Sequence, residues 1–254
     1  MNSHESNRLI EMSQSPLLPK DDRSDASGFV LPDAAKLEAM AEFAAGAGHE
    51  INNPLATIIG RAQLLLKDER DPQRRQMLLA IGAQAYRIRD MIGDAMLFGR
   101  PPAPELQPVD LARAVSDILS KQADDLAADR CTASVEIPSG LLLKADSTQL
   151  AIVLSEFLRN SRQALQSVDG GEIRVRANSR DEFAIIEIED RGRGFSEIER
   201  QHAFDPFYSG RQAGRGLGFG LSKCWRIIQQ HDGRIEIKSA PTGPTVVRVT
   251  WPRF

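Results

Sequence analysis

The chain has 254 residues, 41% of them hydrophobic and 26% charged, with a formal net charge of −3 at pH 7. This composition is typical of a globular protein of one large or two modest domains, and it excludes a globally basic nucleic-acid-binding protein. No apolar run reaches the ~18 residues of a membrane span and no signal peptide is recognisable, so we expect a cytoplasmic protein without a transmembrane segment.

Residues 1–33 form a polar stretch rich in Ser, Asp and Pro, and they show no hydrophobic periodicity. Such a composition does not bury enough apolar surface to order itself. We therefore predict a flexible tail.

Residues 34–100 show the hydrophobic spacing of two long helices. In each run, apolar or small residues, with Gln84 as the one polar exception, recur at alternating intervals of four and three, as in a coiled-coil seam. The polar segment KDERDPQRRQ, which contains Pro72, separates the runs and predicts a turn, so the helices should form an antiparallel hairpin. Extra apolar positions make the stripe wider than one hairpin buries, and we expect a homodimeric four-helix bundle. The alternative is a hairpin that packs on the second domain of its own chain. The predicted seam positions are Ala44, Gly48, Ile51, Leu55, Ile58, Ala62 and Leu65 in the first helix, and Met77, Ile81, Gln84, Ile88, Met91 and Ala95 in the second.

The segment 101–108, PPAPELQP, cannot continue a helix and is predicted to be a linker. Residues 109–254 then combine helical patterns with several short stretches of alternating apolar and polar residues, such as GEIRVRAN and FAIIEIED. Because these strands are joined as hairpins and the helices are grouped, we predict an α+β sandwich rather than a succession of βαβ units.

Three motifs in this second domain carry polar groups typical of a nucleotide site. EDRGRGFS places Asp190 at the end of a strand, followed by Gly192 and Gly194, although a tight turn with a solvated aspartate explains so short a string equally well. GRGLGFGLSK is a glycine-rich turn before a helix, where backbone N–H groups bind phosphates, but such turns are also common without a ligand. SEFLRNSRQAL puts Glu156 and Asn160 on one helix face, as a magnesium and phosphate site or as an exposed polar pair.

Over residues 34–254 the chain resembles the bacterial two-component histidine kinases. GHEINNPL resembles their phosphoacceptor box and EFLRNSRQAL their asparagine box. EDRGRGF and GRGLGFGLS resemble the two glycine boxes, and FDPFYSG the phenylalanine box between them. The order and spacing of the five motifs also agree. The resemblance implies that the sandwich is an ATP-binding domain of the gyrase type.

The resemblance also implies roles for individual residues. His49 is expected to be the phosphorylated nucleophile, Asp190 to bind the adenine amino group, and Asn160 to hold magnesium. Glu156 is a further candidate magnesium ligand because it shares a helix face with Asn160, not because the resemblance implies it. Histidine kinases usually carry Asn at position 156, whereas related ATPases carry a Glu there that activates water. The other implied nucleotide-binding residues are Gly192, Gly194, Phe207, Arg211, Gly216, Gly218 and Gly220, with Phe204 and Phe207 anchoring a lid.

The residues around His49 fit a nucleophilic site in physical terms. His49 flanks the predicted seam and should be accessible, and a neutral imidazole offers a nitrogen lone pair at pH 7. Glu50 is placed to hold the proton of the other ring nitrogen, although adjacent helical residues do not face each other. Asn53 lies one turn from His49, where its amide can orient water against an acyl phosphate. The alternative is that Asn53 satisfies the backbone beside Pro54.

We therefore expect an ATP- and magnesium-dependent protein-histidine kinase. It should autophosphorylate His49, pass the phosphoryl group to an aspartate of a separate response regulator, and act through Asn53 as a phosphatase of that regulator. Two alternatives remain open at this level. One is a non-catalytic docking or phosphotransfer scaffold, and the other is an ATP-hydrolysing conformational switch, which Glu156 suggests.

Overall fold

The computed structural model describes residues 29–32, 34–210, 218–239 and 243–254. Its first two helices form the predicted antiparallel hairpin, with α1 spanning Ala34–Asp68 and α2 spanning Pro72–Gly99. The turn is short because Asp71 caps α2. Its side chain accepts hydrogen bonds of 2.9 Å from the backbone N–H groups of Gln73 and Arg74.

Part of the predicted seam is buried within the single hairpin. The seam residue Leu55 forms a small apolar cluster between α1 and α2 with Ile59 and Ala85, which lie outside the predicted seam, and the seam residue Ala62 is buried as well. Other predicted seam positions stay exposed, namely Ile58, Leu65, Met77, Ile81 and Ile88. One hairpin therefore leaves an apolar stripe on its surface, as the width of the sequence pattern indicated.

The rest of the chain is an α+β sandwich, as predicted. Its strands are β1 (Gln107–Asp110), β2 (Cys131–Glu136), β3 (Leu142–Ala145), β4 (Gly171–Arg180), β5 (Phe183–Asp190), β6 (Arg234–Ser239) and β7 (Thr245–Pro252). Five of them form a mixed sheet in the order β2-β4-β5-β7-β6, in which β2 runs parallel to β4 and the other neighbours are antiparallel. β1 and β3 form a separate antiparallel pair.

Helices cover one side of this sheet, and the buried core lies between the helices and the strands. The helices are α3 (Leu111–Lys121), α4 (Ala123–Ala128), α5 (Ser147–Gln166), α6 (Glu197–His202) and α7 (Gly220–Gln230). α5 packs on β4, β5 and α7, and α7 packs on β6. Alternate residues of β5 are buried, so its last residue, Asp190, points toward the helical layer where the nucleotide motifs lie.

None of the described helices combines the length and the apolar character needed to cross a lipid bilayer.

β1 begins at Gln107, inside the segment that was predicted to be a linker. Pro108 has no amide proton, but it lies in a strand with a single pairing partner, where the missing donor does not interrupt a ladder on the other side. Asp110 then caps α3 by accepting a hydrogen bond of 2.9 Å from the backbone N–H of Arg113. The ordered structure of the sandwich thus starts before residue 109.

The hairpin and the sandwich of the same chain contact each other through α2 and α7. Phe98, near the end of α2, is fully buried, and its ring centroid lies 6.4 Å from that of Phe219. The connecting segment is fixed as well, because the Gln149 amide donates a hydrogen bond of 3.0 Å to the Pro102 carbonyl. The hairpin therefore packs on the sandwich of its own chain at the end of α2, while the stripe residues remain exposed.

Phe29 belongs to the core of the sandwich, although the sequence placed it in a polar tail. Its side chain is 1% exposed, and its ring packs edge-on against Phe195 at 5.4 Å and lies 6.2 Å from Phe204. A single aromatic anchor has no periodicity, so the sequence pattern carried no signal for this contact. The segment that leads into α1 is thus attached beside the residues that follow β5.

Candidate active site

A cavity of about 350 Å³ lies where the motifs converge. The second half of α5, the end of β5, the segment around α6 and the start of α7 form most of its wall, and α2 of the hairpin completes it. The sandwich elements bring Asn160, Asp190, Gly194, Gly218 and Gly220 together around this space, although they lie far apart in the sequence.

Asp190 is buried at the inner wall of the cavity, where it is held on both oxygens. Oδ1 accepts a hydrogen bond of 2.9 Å from the Gly192 N–H, and Oδ2 accepts one of 2.8 Å from the Ser161 hydroxyl. Burial raises the pKa of Asp190, and these two hydrogen bonds oppose that rise without cancelling it. The result is a buried acceptor that is held in one orientation. Sequence reasoning missed Ser161, which follows Asn160 and is identifiable only once α5 is known to face β5.

Two glycines are required by close backbone approach. A Cβ on Gly192 would lie 2.5 Å from the Ala164 carbonyl carbon, so the turn after β5 is pressed against α5. Gly218 has φ +74°, and a Cβ there would lie 2.3 Å from the Phe207 carbonyl carbon. The second glycine motif is thus packed against the phenylalanine motif, and the Phe207 ring contacts Phe219 edge-on at 4.6 Å.

An ion pair stabilises the segment between β5 and α6. Arg193 donates hydrogen bonds of 2.6 and 3.0 Å to the two carboxylate oxygens of Glu199. Glu199 also completes a capping box with Ser196 at the start of α6. The sequence SEIE carries the capping-box signal, so this part of the site was detectable in advance. Arg193 and Glu199 both line the cavity.

Asn160 and Glu156 lie on the same face of α5 but have different surroundings. Asn160 lines the cavity. Glu156 is buried behind the cavity wall, where its Oε1 lies 2.9 Å from Nζ of Lys223 and its Oε2 is paired with Arg159. Burial tends to lower the pKa of Lys223, but the carboxylates of Glu156 and Asp94 raise it overall. The expected metal ligand Glu156 is thus neutralised by two cations in this arrangement.

The hairpin contributes two side chains to the cavity wall, Arg87 and Asp94, which lie on one face of α2. Asp94 Oδ1 lies 2.7 Å from Nζ of Lys223 on α7, so an ion pair crosses from the hairpin to the sandwich. No motif marked these residues in the sequence, because their role depends on how α2 sits against α7.

The phosphoacceptor motif lies in the middle of α1, and the backbone of His49 is helical. The preceding residue, Gly48, is buried against α2, since a Cβ there would lie 2.6 Å from Sδ of Met96. Met96 follows the cavity-lining Asp94 by two residues, so the His49 position is level with the part of α2 that borders the cavity.

The other predicted site residues are distributed as follows. Glu50 and Asn53 are exposed on α1. Phe207 has φ +66° and is half exposed at the edge of the site. Arg211 and Gly216 fall in the range 211–217, outside the described residues.

Two family models match the chain. Residues 39–104 match the His Kinase A (phospho-acceptor) domain, and residues 145–254 match the histidine kinase-, DNA gyrase B-, and HSP90-like ATPase. The first match covers most of the hairpin that carries His49, and the second covers the part of the sandwich from α5 to β7, which carries Asn160 and Asp190.

The curated relatives of the chain are named as kinases. The chain is 31% identical over 248 residues to the sensory histidine kinase/phosphatase NtrB of Klebsiella oxytoca, covering 92% of this chain and 66% of NtrB. It is 28% identical over 226 residues to sporulation kinase D of Bacillus subtilis, covering 87% of this chain and 43% of that kinase. This chain therefore spans between about two fifths and two thirds of these two proteins.

The fold also agrees with that of a solved structure, full-length ShkA in complex with AMPPNP. The TM-score is 0.73 at 19% identity, and the match covers 84% of this chain and 46% of ShkA. With a phosphoacceptor hairpin, an ATPase domain of the kinase and gyrase type and sensor kinases that match most of its length, the chain belongs to the two-component sensor histidine kinases.

Proposed function

We propose that the chain is an ATP-dependent protein-histidine kinase that transfers the γ-phosphoryl group of ATP to His49. The observation that carries this proposal is the shared wall of the cavity. The nucleotide motifs form one side of it and α2 forms the other, at the level where α1 carries His49. A nucleotide bound there would lie next to the hairpin that must receive its phosphoryl group.

The proposed nucleotide contacts are assigned from the position of each residue in the cavity wall. Asp190, a fixed and poorly solvated acceptor, binds the adenine amino group. Gly218 and Gly220 border the phosphates at the N-terminus of α7, where N–H groups that have no acceptor within the helix and the helix dipole favour negative charge. The remaining residues proposed to shape the pocket are Gly192, Gly194, Phe207, Arg211 and Gly216.

The site fits a magnesium ion that is held mainly by the nucleotide. The described residues contain no group of three or more His, Cys, Asp or Glu side chains that would bind a metal alone. Asn160 lines the cavity and offers a neutral oxygen ligand, so phosphate oxygens and water would complete the coordination shell. Glu156 joins this shell only if its carboxylate leaves Lys223 and Arg159. When bound, magnesium neutralises the charge that the phosphates carry.

In the proposed reaction, a nitrogen of the neutral His49 ring forms a bond to the γ-phosphorus. The bond between that phosphorus and the β–γ bridging oxygen breaks, and ADP leaves. Glu50 stabilises the proton on the other ring nitrogen. The phosphoryl group then moves to an aspartate of a response regulator. We assign the opposing activity, dephosphorylation of the response regulator, to Asn53. The name of the relative NtrB, a histidine kinase/phosphatase, supports a pair of opposing activities.

We infer that the working form is a homodimer. The apolar stripe formed by Ile58, Leu65, Met77, Ile81 and Ile88 is exposed in one chain, and a second hairpin would cover it in a four-helix bundle. Sedimentation equilibrium tests this inference, and a monomer at micromolar concentration would contradict it.

Incubation with γ-³²P-labelled ATP tests the kinase proposal. The expected product is a phosphoprotein that is labile in acid and stable in alkali. His49→Gln should abolish the label while the protein still binds ATP. Labelling that persists in H49Q would contradict the assignment of His49. In that case His202, on α6, would be tested before His231, because His231 is buried.

A further inference from the structure

Lys223 connects three elements around the active site through two ion pairs. Its Nζ lies 2.9 Å from Oε1 of Glu156 on α5 and 2.7 Å from Oδ1 of Asp94 on α2. The side chain of Lys223 is 8% exposed and that of Glu156 is 9% exposed, so solvent screens their attraction little. Arg159 is paired with the other oxygen of Glu156, which places a cation on each side of this carboxylate.

Glu156 lies directly behind the wall of the cavity. A Cβ on Gly220, which lines the cavity, would be 3.0 Å from Oε2 of Glu156. Asn160, one helical turn further along α5, lines the same cavity. A small rotation of the Glu156 side chain would therefore bring a carboxylate to the space where the proposed function puts the phosphates.

A free carboxylate at that place would promote hydrolysis. The oxygen of a water molecule would form a bond to the γ-phosphorus, and the bond to the β–γ bridging oxygen would break. Glu156 would take the proton of the attacking water and later return it to solvent. This reaction consumes ATP without phosphorylating His49, so a kinase with a glutamate at this position must restrain it.

We propose that Lys223 is a positioning residue that holds Glu156 behind the cavity wall and so directs the γ-phosphoryl group to His49 rather than to water. This inference rests on the proposed kinase function. Arg159 acts in the same direction, but its side chain is 46% exposed, so its ion pair is the weaker restraint. Lys223 thus prevents the ATP hydrolysis that Glu156 would otherwise promote.

The test compares phosphate release in Lys223→Gln, Lys223→Met and Lys223→Arg, each made in an H49Q background. That background removes phosphorylation of His49, so the measurement does not depend on whether the kinase proposal is correct. Lys238→Met is the matched control, because Lys238 is an exposed lysine on β6. ATP affinity and melting temperature are measured for every variant. The double variant E156Q/K223Q, in the same background, tests whether Glu156 causes any increase in phosphate release.

K223Q and K223M should release phosphate at least about tenfold faster than the parent, a threshold set below the roughly 10²–10⁴-fold contribution of a fully engaged general base. K223R, which keeps the positive charge, and K238M should remain close to the parent. Adding E156Q to K223Q should return the rate to the parent value. In a protein that retains His49, K223Q should also lower the ratio of phosphohistidine formed to ATP consumed.

Three results would overturn the proposal. Unchanged phosphate release in K223Q and K223M would mean that Lys223 does not restrain hydrolysis. A rise that persists in E156Q/K223Q would mean that another group activates the water. A failure of both neutral variants to fold or to bind ATP would make Lys223 a structural residue. By contrast, an absence of phosphohistidine in the parent protein would contradict the proposed function and leave the hydrolysis result valid.

Discussion

Ser161 on α5 donates a hydrogen bond of 2.8 Å to Asp190 at the end of β5, which joins the asparagine motif to the first glycine motif. The other oxygen of Asp190 is held by the Gly192 N–H, so the carboxylate cannot rotate without losing a buried hydrogen bond. This fixed orientation leaves the remaining lone pairs available to a ligand in the cavity.

Asp190→Asn should weaken ATP binding by about 1.5–3 kcal/mol, because a hydrogen bond to a buried charge is replaced by a weaker or mismatched one. Isothermal titration calorimetry with ATP measures the loss. Asp181→Asn is the matched control. Asp181 lies in the exposed turn between β4 and β5 with φ +52°, a conformation that Asn also adopts readily. Unchanged affinity in D190N would mean that adenine is held elsewhere.

Gly218→Ala should disrupt the contact between the second glycine motif and the phenylalanine motif. The new Cβ would meet the Phe207 carbonyl carbon at 2.3 Å, at a residue whose φ of +74° already disfavours alanine. A backbone shift at this place moves the phosphate-facing wall, so ATP affinity should fall at least about tenfold, in line with the ~1–2 kcal/mol cost of a left-handed residue.

Gly60→Ala provides the contrast to Gly218→Ala. Gly60 lies within α1, and nothing stands within 4 Å of the position that a Cβ would occupy there. Alanine there should raise helix stability by about 0.5–1 kcal/mol and leave ATP affinity unchanged. Comparable losses of ATP affinity in both variants would show that the site is not sensitive to Gly218 in particular.

The hairpin and the sheet were predictable because local patterns determine them. The intervals of three and four in residues 34–100 require a helical face, and Pro72 marks the start of α2. The alternation in β4 and β5 likewise predicts half-buried strands. Asp190 was found because a strand end followed by glycines is a local signal.

The pairing of charges around the site was not predictable. Lys223 and Asp94 are 129 residues apart in the sequence, and nothing in either local segment indicates that they meet. Phe29 is a similar case, since one aromatic residue in a polar stretch shows no period. These contacts depend on how helices dock on one another, which single-sequence patterns do not contain.

His231 should make stability depend on pH. Its ring is buried, Nδ1 lies 2.9 Å from the Ile227 carbonyl, and Nε2 accepts a hydrogen bond of 3.1 Å from the Asp146 N–H. Burial lowers the pKa of His231 below 6.5, although its neighbours oppose this. Below pH 6.5 the unfolded chain therefore binds a proton that the folded protein does not yet bind.

The free energy of unfolding should consequently be constant above about pH 7 and fall as the pH decreases through 6.5 toward the folded pKa of His231. Urea titrations between about pH 5 and pH 8 measure this slope. His231→Gln should be less stable at pH 8, because it loses packing against Trp251, but its slope should be smaller. Identical slopes in the two proteins would assign the pH dependence to other groups.

Asn53→Ala should separate the two activities proposed for the hairpin. Asn53 is exposed on α1, four residues after His49, which corresponds to about 5–6 Å between Cβ atoms on one helix face. Its amide can both donate to and accept from a water molecule, and so can direct that water at a receiver acyl phosphate docked beside His49. N53A should therefore keep autophosphorylation near normal and lose most dephosphorylation of a regulator that the kinase has labelled.

Thr57→Ala is the control that distinguishes this role from support of the helix beside Pro54. The Thr57 hydroxyl donates a hydrogen bond of 3.2 Å to the Asn53 carbonyl, so T57A alters the local backbone contacts and leaves the Asn53 amide in place. T57A should retain phosphatase activity. If N53A loses both activities together, or if N53A melts much earlier than the parent, Asn53 stabilises the helix and the phosphatase assignment fails. A selective loss in N53A with normal activities in T57A would instead assign the water-orienting group to the Asn53 side chain, because the helix around Pro54 would then be intact in both variants.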